Sequence, residues 1–436
     1  MYVNPRFPRR DIALHAKSDL SATWTSVFFL LLASGILLVG IGLFFTALGL
    51  RASAESFSTV ATGLVMSSYF AGFVIGTLLC PALIRRVGHI RAFSALASIA
   101  STTAIVHAIA VDPWVWSLLR MITGFCLVGL YMVMESWLNV QAPNAARGRV
   151  FAAYVGVTLV AMGAGQFLVL AGDVLGFVPL GLVSILLSLA LVPVAFTRTP
   201  EPRPVTVSKM SVRRLYSISP LGTAAALASG LLNSAFFGMG AVFGQRIGLT
   251  ELGVAAFMGI TIFGGALLQW PVGHASDRQD RRQVLIVVCA LAAVLAVAAN
   301  MLKSVSVTVL VLCTFFYGGL VFSVYGLSVA LINDRIPQDD VLEAASTLLL
   351  VHGVGAVLGP LAACVMMELY GPGGLLVYFA LVLSAMAAFG LWRLRAGSAL
   401  PVDQQAAYVA VATSSPVVLE LDPRTPDPPP ARSAGQ

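Results

Sequence analysis

The segment at residues 270–284, WPVGHASDRQDRRQV, gathers charge in a chain that otherwise carries little of it. Two aspartates and three arginines lie within residues 277–282, although Asp, Glu, Lys and Arg make up only 10% of the sequence. A long apolar run ends directly before these charges, and another begins directly after them. They are therefore expected at a polar turn that joins two apolar elements, whose nature follows from the rest of the chain.

Apolar runs of about 20 residues recur along the chain, in which 58% of residues are hydrophobic. A helix of that length crosses the hydrocarbon core of a bilayer, which is about 30 Å thick. We therefore predict an all-α integral membrane protein with twelve transmembrane helices, and we disfavour the alternative of a very apolar soluble bundle. The runs cover residues 25–50, 58–84, 92–111, 114–140, 149–172, 175–196, 219–245, 252–272, 283–302, 305–333, 341–368 and 373–392.

The distribution of basic residues predicts how these helices are oriented, because cytoplasmic loops carry an excess of Lys and Arg. With the N-terminus in the cytoplasm, 22 of the 26 basic residues fall on the cytoplasmic side and three on the other side, while Arg120 lies inside the fourth run. We expect a multi-pass protein of the bacterial plasma membrane with both termini cytoplasmic. This topology accounts for the net charge of +7, so no nucleic-acid partner is expected.

Two polar stretches divide or follow the apolar runs. The stretch after the sixth run is Pro-rich and basic, and the end of the chain, LDPRTPDPPPARSAGQ, is too polar to bury a core. The predicted organisation is a cytoplasmic segment at 1–24, a six-helix half at 25–196, a cytoplasmic linker at 197–218, a second six-helix half at 219–395 and a disordered cytoplasmic tail at 396–436.

The two halves repeat each other at an offset of 194 residues. Identical residues stand at that offset in or just after the fourth and fifth runs and the tenth and eleventh runs. Parallel six-helix repeats with a binding site between them are an architecture of secondary transporters. The matched pairs are Gly124 and Gly318, Tyr131 and Tyr325, Asn139 and Asn333, Pro143 and Pro337, and Gly165 and Gly359.

The charged segment carries the resemblance to a known family. Residues 273–282, GHASDRQDRR, resemble the major facilitator superfamily signature Gly-x-x-x-Asp-Arg-x-Gly-Arg-Arg, except that Asp280 replaces its second glycine. Arg120-Met-Ile-Thr-Gly124 resembles the family's Arg-x-x-x-Gly element, and Glu135-Ser-Trp-Leu-Asn139 is similar to a bacterial branch with poorly defined substrates. The resemblance spans residues 20–396 and implies two pseudo-symmetric six-helix halves that work as a secondary transporter.

The resemblance also implies that the charged loop meets the start of the fifth helix, where the helix dipole stabilises a carboxylate. We predict that Asp277 pairs there with Arg147 or Arg149. At the symmetry-related crossing the signs are reversed, and the loop after the second run should pair with acids at the start of the eleventh. These pairs would form a cytoplasmic gate that closes in one state and opens in the other. The predicted gate residues are Gly273, Asp277, Arg278, Arg281, Arg282, Arg147, Arg149, Arg85, Arg86, Asp339, Asp340 and Glu343.

The fourth run carries the predicted coupling residues. At about 100° per residue, Arg120, Tyr131 and Glu135 share one face of a helix, and ionisable groups in membrane spans avoid lipid. We predict that Glu135 binds the coupled proton; the alternative is that it only fastens local packing or the start of the fifth helix. For the other polar groups the alternative is a structural bond between helices. The predicted transport and coupling residues are Arg120, Tyr131, Glu135, Asn139, His352 and Asn233.

The sequence thus predicts a secondary active transporter that moves a small solute by alternating access, coupled to protons. The few buried charges favour a neutral, amphipathic or singly charged solute. We expect this solute, protons and the lipid bilayer as partners, a monomer, and no cofactor or metal. Two other classes stay open. One is a polytopic membrane enzyme acting on a lipid or prenyl diphosphate through Asp339-Asp340-Val-Leu-Glu343, and the other is a non-transporting membrane receptor or scaffold.

Overall fold

The computed structural model describes residues 9–142, 147–196, 210–337, 340–396, 401–406, 408–409 and 414–415. Within these residues, twelve helices are long and apolar enough to span a membrane, which confirms the predicted all-α fold. We label them α1 to α12 in chain order. Their bounds are Arg9–Ala54, Thr59–Val87, His89–Ile109, Pro113–Gln141, Arg147–Ala171, Val178–Phe196, Pro220–Arg246, Glu251–Arg278, Arg281–Leu302, Val307–Asn333, Val341–Tyr370 and Gly374–Ala396.

The helices differ in detail from the predicted runs. α1 begins at Arg9 because Ala, Leu, Lys and Arg, which favour helix, continue it beyond its apolar span, Trp24–Ala54. The described end of the linker forms a further short helix, Val212–Ile218, which we call the linker helix. Three spans contain interruptions: α5 ends in a 3-10 helix at Gln166–Ala171, α6 divides into Val178–Leu189 and Leu191–Phe196, and α10 divides into Val307–Val321 and Ser323–Asn333.

Side chains at the turns determine where several helices begin. Ser58, Asp112 and Thr250 each accept a hydrogen bond from a backbone N–H in the first turn of α2, α4 and α8, respectively. Such caps satisfy N–H groups that have no partner inside the helix. Asp280 caps α9 in the same way and has a φ of −60°. An aspartate can therefore replace the signature glycine here, because the backbone needs no glycine and the side chain supplies a cap.

Corresponding helices of the two halves pack alike, as the sequence repeat predicts. A Cβ on Gly124 would overlap the backbone carbonyl oxygen of Tyr69 in α2, and a Cβ on Gly318 would overlap that of Thr261 in α8. Glycine permits helix backbones to approach this closely. The matched glycines therefore serve as packing positions, and the structure consists of two pseudo-symmetric six-helix halves.

The bundle is closed at one end and open at the other. We call the end that holds the loops after α2, α4, α6, α8 and α10 the basic side, and the other end the opposite side. On the opposite side the halves touch: Arg246 of α7 donates to Thr59 of α2 at 2.7 Å, and Gly163 of α5 packs against Phe263 of α8. On the basic side a cleft separates the ends of α5 and α8. We call this opening the basic-side cleft.

Described residues of the C-terminal tail lie in the basic-side cleft. Tyr408 and Val409 line it between α5 and α8, and Ser414 reaches the wall of a cavity farther inside. The prediction of a disordered tail from residue 396 does not hold for these residues, and the chain after residue 415 lies outside the described part. That prediction rested on the Pro-rich end of the chain, whereas the sequence around Tyr408 is apolar and can be buried.

Candidate functional site

A central cavity lies between the two halves and encloses about 1180 Å³ of space outside the protein atoms, including its opening to solvent. Its wall takes residues from α1, α2, α4 and α5 of one half and from α7, α8, α10 and α11 of the other. Eight wall residues are aromatic, and none of the described wall residues is Asp, Glu, Lys or Arg. The aromatic residues are Phe45, Tyr69, Phe70, Phe73, Tyr131, Phe237, Phe322 and Tyr325.

Aromatic rings close this cavity toward the opposite side. The ring centroids of Phe45 and Phe237 lie 5.7 Å apart across the two halves, and Phe237 lies 5.8 Å from Phe322. Phe45 and Phe237 each stand nine residues before the end of their helices on the opposite side. Their contact therefore separates the cavity from that side of the membrane, while the other end leads to the basic-side cleft.

Polar side chains interrupt the aromatic wall at several positions, and Asn233 and His352 are the two among them that belong to the predicted transport residues. Asn233 of α7 is 9% exposed, and its Oδ1 has no hydrogen-bond partner among the described residues. His352 Nδ1 of α11 lies 2.9 Å from Ser229 Oγ, and its ring packs edge-on against Tyr325 at 5.0 Å. The contacts of His352 hold its ring in place, whereas the oxygen of Asn233 is able to accept a hydrogen bond from a bound molecule.

Glu135 is fully buried in α4, one turn beyond Tyr131 toward the basic side. Tyr154 of α5 donates its hydroxyl to Glu135 Oε1 at 2.7 Å, and the hydroxyls of Ser414 and Ser415 donate to Oε1 and Oε2. Because Ser414 also lines the cavity, the carboxyl group lies at the cavity's edge, next to this serine. The carboxyl group of Glu135 is thus held by hydroxyl groups from α5 and from the tail.

Arg120 is fully buried toward the opposite end of α4 and is enclosed by aromatic rings. Its guanidinium carbon lies 4.4 Å from the ring centroid of Tyr69, 4.6 Å from that of Phe45 and 5.3 Å from that of Phe44. Its Nε and Nη2 have no hydrogen-bond partner within the described chain. Cation–π contacts stabilise such a group. Since Tyr69 and Phe45 line the cavity, Arg120 lies behind the wall and not in it.

The structure thus brings half of the predicted transport residues to one surface. Three of the six line the cavity, one lies at its edge and two lie outside its wall. Tyr131, Asn233 and His352 line it, Glu135 lies at its edge, Arg120 lies behind the wall, and Asn139 is half-buried at the basic end of α4.

Two charged residues of the predicted gate, Arg281 and Asp277, form a network with Asp334 on the basic side. Arg281 of α9 lies 2.8 Å from Asp334, just after α10, and 3.1 Å from Asp277 of α8. The side chain of Arg281 is only 1% exposed. In this open state Asp277 is therefore held within its own half. Buried Arg147 and exposed Arg149 begin α5 on the other side of the cleft, and their pairing with Asp277 stays a prediction for the closed state.

Asp280 and Arg282 form a second pair in the same loop, with 2.8 Å between Oδ2 and Nη2. Burial raises the pKa of the Asp280 carboxyl, but hydrogen bonds from Arg282 and the charges of Arg282 and Arg335 outweigh burial and hold this pKa below its usual value. Asp280 is therefore charged at neutral pH and orients Arg282. Of the other two signature residues, Arg278 is exposed and Gly273 is buried against Tyr408.

At the symmetry-related crossing, Asp340 lies 2.9 Å from Arg214 of the linker helix. Arg85 and Arg86 are exposed at the end of α2, and Glu343 is half-buried in the first turn of α11. Asp339 lies outside the described residues. In the open state Asp340 is therefore paired with the linker helix. The predicted pairing of acids at the start of α11 with the loop after α2 stays a prediction for the closed state.

The sequence did not reveal several residues of the site. Asp334 lies in the loop after the tenth run. Membrane orientation requires basic residues in such a loop but no acidic ones, so this aspartate could have been recognised as a candidate. Tyr154, Tyr408, Ser414 and Ser415 had no such signal. The bonds of the tail to Asp277 and Glu135 join residues 131 to 280 positions apart, and no local pattern predicts contacts at that separation. Within the described residues, no group of three or more His, Cys, Asp or Glu is placed to hold a metal ion.

Known proteins resemble this chain over most of its length. The Major Facilitator Superfamily profile matches residues 23–341. A protein of Escherichia fergusonii named "uncharacterized MFS-type transporter YcaD" is 26% identical over 359 residues, which cover 81% of this chain and 92% of that protein. The YcaD protein of Salmonella paratyphi A is 27% identical over 365 residues, which cover 83% and 94%.

Solved structures agree with this fold. The nucleoside transporter NupG superposes with a TM-score of 0.68 and 15% identity, over 85% of this chain and 99% of its own. A bacterial homologue of the human lysosomal transporter Spinster, in an inward-facing and occupied conformation, gives a TM-score of 0.65 and 16% identity, over 87% of this chain and 97% of its own. At these identities the likeness concerns the fold alone. Together with the profile match, it shows that the chain belongs to the Major Facilitator Superfamily of secondary transporters.

Proposed function

We propose that the protein is a proton-coupled transporter of a small amphipathic solute in the bacterial plasma membrane. The observation that carries this proposal is the central cavity between two pseudo-symmetric halves, open on one side, closed on the other, with a buried carboxyl group at its edge. The excess of Lys and Arg makes the basic side the cytoplasmic side, with both termini in the cytoplasm. One chain supplies both walls of the cavity, so the functional unit is a monomer.

The cavity wall favours an uncharged solute that carries a ring. Taking an ion from water into apolar surroundings is costly unless a counter-charge meets it, and the described wall offers none. Eight aromatic side chains offer stacking and edge contacts to a flat ring. The Oδ1 of Asn233, which has no partner among the described residues, accepts a hydrogen bond from an N–H or O–H of the solute. We therefore expect a neutral aromatic or heteroaromatic solute with a donor group.

Glu135 is the group that binds the coupled proton in this proposal. When the basic side is open, hydroxyl donors stabilise its charged form. Closing the cleft would displace the serine hydroxyls of the tail from this fully buried carboxylate, and loss of these donors favours its neutral form. Protonation of Glu135 therefore accompanies closure, which links proton movement to the change between states. The alternative is that the bond to Tyr154 only fastens α4 to α5.

The residues that suggested an enzyme have a place in the transporter. Asp340 pairs with Arg214 and Glu343 lies in the first turn of α11, where an acid is favoured by the helix dipole. We propose that the protein has no enzymatic activity and that these acids belong to the gate. A non-transporting receptor would differ by showing no solute movement in vesicles.

Replacing Glu135 by glutamine tests the coupling role. The purified protein is placed in proteoliposomes, and neutral ring-bearing solutes are screened for uptake driven by an imposed proton gradient. With one proton per solute, a gradient of about one pH unit supports about tenfold accumulation. Glu135→Gln should abolish this accumulation and keep the exchange of labelled for unlabelled solute, because glutamine resembles the protonated carboxyl group.

The matched control is Glu251→Gln, which changes an exposed carboxylate at the opposite end of α8 and should leave accumulation unchanged. Circular dichroism and gel filtration establish that each variant is folded. Full accumulation in folded Glu135→Gln, or loss of exchange together with accumulation, would show that Glu135 does not couple the proton.

A further inference from the structure

The backbone of the C-terminal tail is bound by charged residues of the signature loop. The N–H of Tyr408 donates to Asp277 Oδ1 at 2.7 Å, and the N–H of Ala406 donates to Asp334 Oδ1 at 3.1 Å. Arg281 Nη2 donates to the carbonyl oxygen of Ala406. Hydrogen bonds to charged groups are stronger than those between neutral groups. Asp277, Arg281 and Asp334 together therefore form a binding site for the backbone of the tail.

The ring of Tyr408 fits a slot between two glycines. A Cβ on Gly273 of α8 or on Gly326 of α10 would overlap this ring, and the three nearest atoms to either Cβ all belong to Tyr408. Tyr408 and Val409 also line the basic-side cleft together with Gly148 and Phe151 of α5. The two side chains thus occupy space between the two halves, in the cleft that must close during alternating access.

Farther inside, the tail binds the other half of the molecule. Ser414 and Ser415 are buried, and their hydroxyls donate to the two carboxylate oxygens of Glu135. Ser414 lines the central cavity as well. The tail is therefore anchored to the second half by Asp277, Arg281 and Asp334, and to the first half by Glu135.

We propose that the tail residues Ala406, Tyr408, Val409, Ser414 and Ser415 form an intramolecular plug, which binds the basic-side cleft of the open state and inhibits transport until it leaves. We call these five residues the plug. The inference rests on the transport function proposed above. It goes beyond that function because it assigns a binding site on the transporter and names its occupant, a segment of the same chain.

Three physical effects of the plug oppose closure. Tyr408 and Val409 fill space between α5 and α8. The N–H of Tyr408 donates a hydrogen bond to Asp277. The predicted gate requires this carboxylate to pair with an arginine at the start of α5. The serine hydroxyls stabilise the charged form of Glu135, so they oppose its protonation. A solute entering from the basic side also meets Ser414 at the cavity wall.

Hydrogen exchange of the full-length protein measures binding of the plug without any transport assay. The amides of Ala406 and Tyr408 should exchange slowly, because both donate to buried or half-buried carboxylates. Gly326→Ala should speed their exchange about tenfold or more, since its Cβ displaces Tyr408 and weakens bonds to charged groups. Alanine also favours helix more than glycine, so this variant should fold.

The matched control is Gly35→Ala in α1, whose Cβ would make only an ordinary contact at 3.5 Å with Val157 among the described residues and lies in the wall of neither the cleft nor the cavity. It should leave the tail amides protected. Tyr408→Phe keeps the ring and should also keep protection, whereas Tyr408→Ala should lose it. Rapid amide exchange in the unaltered protein, or unchanged protection in both Gly326→Ala and Tyr408→Ala, would overturn binding of the plug.

Inhibition is tested by exchange of labelled solute in proteoliposomes, which needs no proton gradient. Gly326→Ala and the double variant Ser414→Ala/Ser415→Ala should both exchange solute several-fold faster than the unaltered protein, while Gly35→Ala should not. If the tail is released and the exchange rate stays the same, the plug does not inhibit and the inference fails. This outcome is distinct from failure of the coupling proposal, which depends on gradient-driven accumulation in Glu135→Gln.

Discussion

Buried arginines of this protein are stabilised in two different ways. Arg281 pairs with Asp277 and Asp334 at the basic side, so its charge is balanced and it fixes helix ends. Arg120 lies among the rings of Tyr69, Phe45 and Phe44 and has two nitrogens without a partner among the described residues. A buried charge without a counter-charge is costly. A structural role therefore accounts for Arg281, whereas the transport role of Arg120, which lies behind the cavity wall, stays a prediction.

Asp280 provides a prediction about single residues. Asp280→Ala should lower the free energy of unfolding by about 1 kcal/mol, because it removes the cap of α9 and the partner of Arg282. Thermal unfolding in detergent measures this as a fall of a few degrees or less in the midpoint, since about 1 kcal/mol moves the midpoint of a protein of 150–250 residues by about 2–4 °C.

The pH dependence of this loss follows from the lowered pKa of Asp280. A carboxyl group with a lowered folded pKa contributes stability above its unfolded pKa, here 3.8, and loses it as the pH falls through the lower folded value. The difference in midpoint between the unaltered protein and Asp280→Ala should therefore be equal at about pH 8 and about pH 5. A difference that disappears by about pH 5 would contradict this assignment.

Within each half, neighbouring helices pack closely at positions that the sequence repeat indicates. The offset of 194 residues predicted equivalent positions for Gly124 and Gly318, and both lie where neighbouring helices approach closely. Backbone groups in a bilayer must be satisfied within the helix, so apolar runs of sufficient length leave little choice but helix. This is why the twelve spans and their pairing into halves were predictable.

Substitutions at the repeated glycines test this packing. Gly124→Ala and Gly318→Ala should each destabilise the protein by about 1–3 kcal/mol, because the added Cβ overlaps a backbone oxygen that cannot move freely. Gly156→Ala, with open space around its Cβ, should not destabilise it. The measurement is the midpoint of thermal unfolding in detergent. Equal midpoints for Gly124→Ala, Gly318→Ala and Gly156→Ala would refute close packing at the repeat.

Other parts of the structure could not be predicted from the sequence. No proline or charge marks the break in α10 or the 3-10 end of α5. The residues that bond Glu135 come from α5 and the tail. Periodicity places Glu135 on the same face as Tyr131, but it gives no distance to another helix. The face was therefore predictable, and its partners were not.

The whole molecule is in a state open to the basic side. Contacts between the halves lie on the opposite side, where Arg246 bonds Thr59 and Phe45 meets Phe237. On the basic side the halves are connected through the plug. A transporter of this architecture needs a second state, in which the basic-side cleft is closed and the contact between Phe45 and Phe237 is open. The proposed pairs of Asp277 with Arg147 or Arg149 belong to that second state.

The proposed transport cycle requires that the two halves alternate, so that the cavity opens to one side at a time. Pulsed electron–electron double resonance in nanodiscs measures this alternation, with one pair of spin labels at Val140 and Gln279 on the basic side and another at Asp173 and Glu251 on the opposite side. All four positions are exposed. The unaltered protein and Gly326→Ala are compared. Each pair should show two distances, and Gly326→Ala should favour the shorter basic-side distance and the longer opposite-side distance. A single unchanged distance for each pair, or changes in the same direction on both sides, would contradict it.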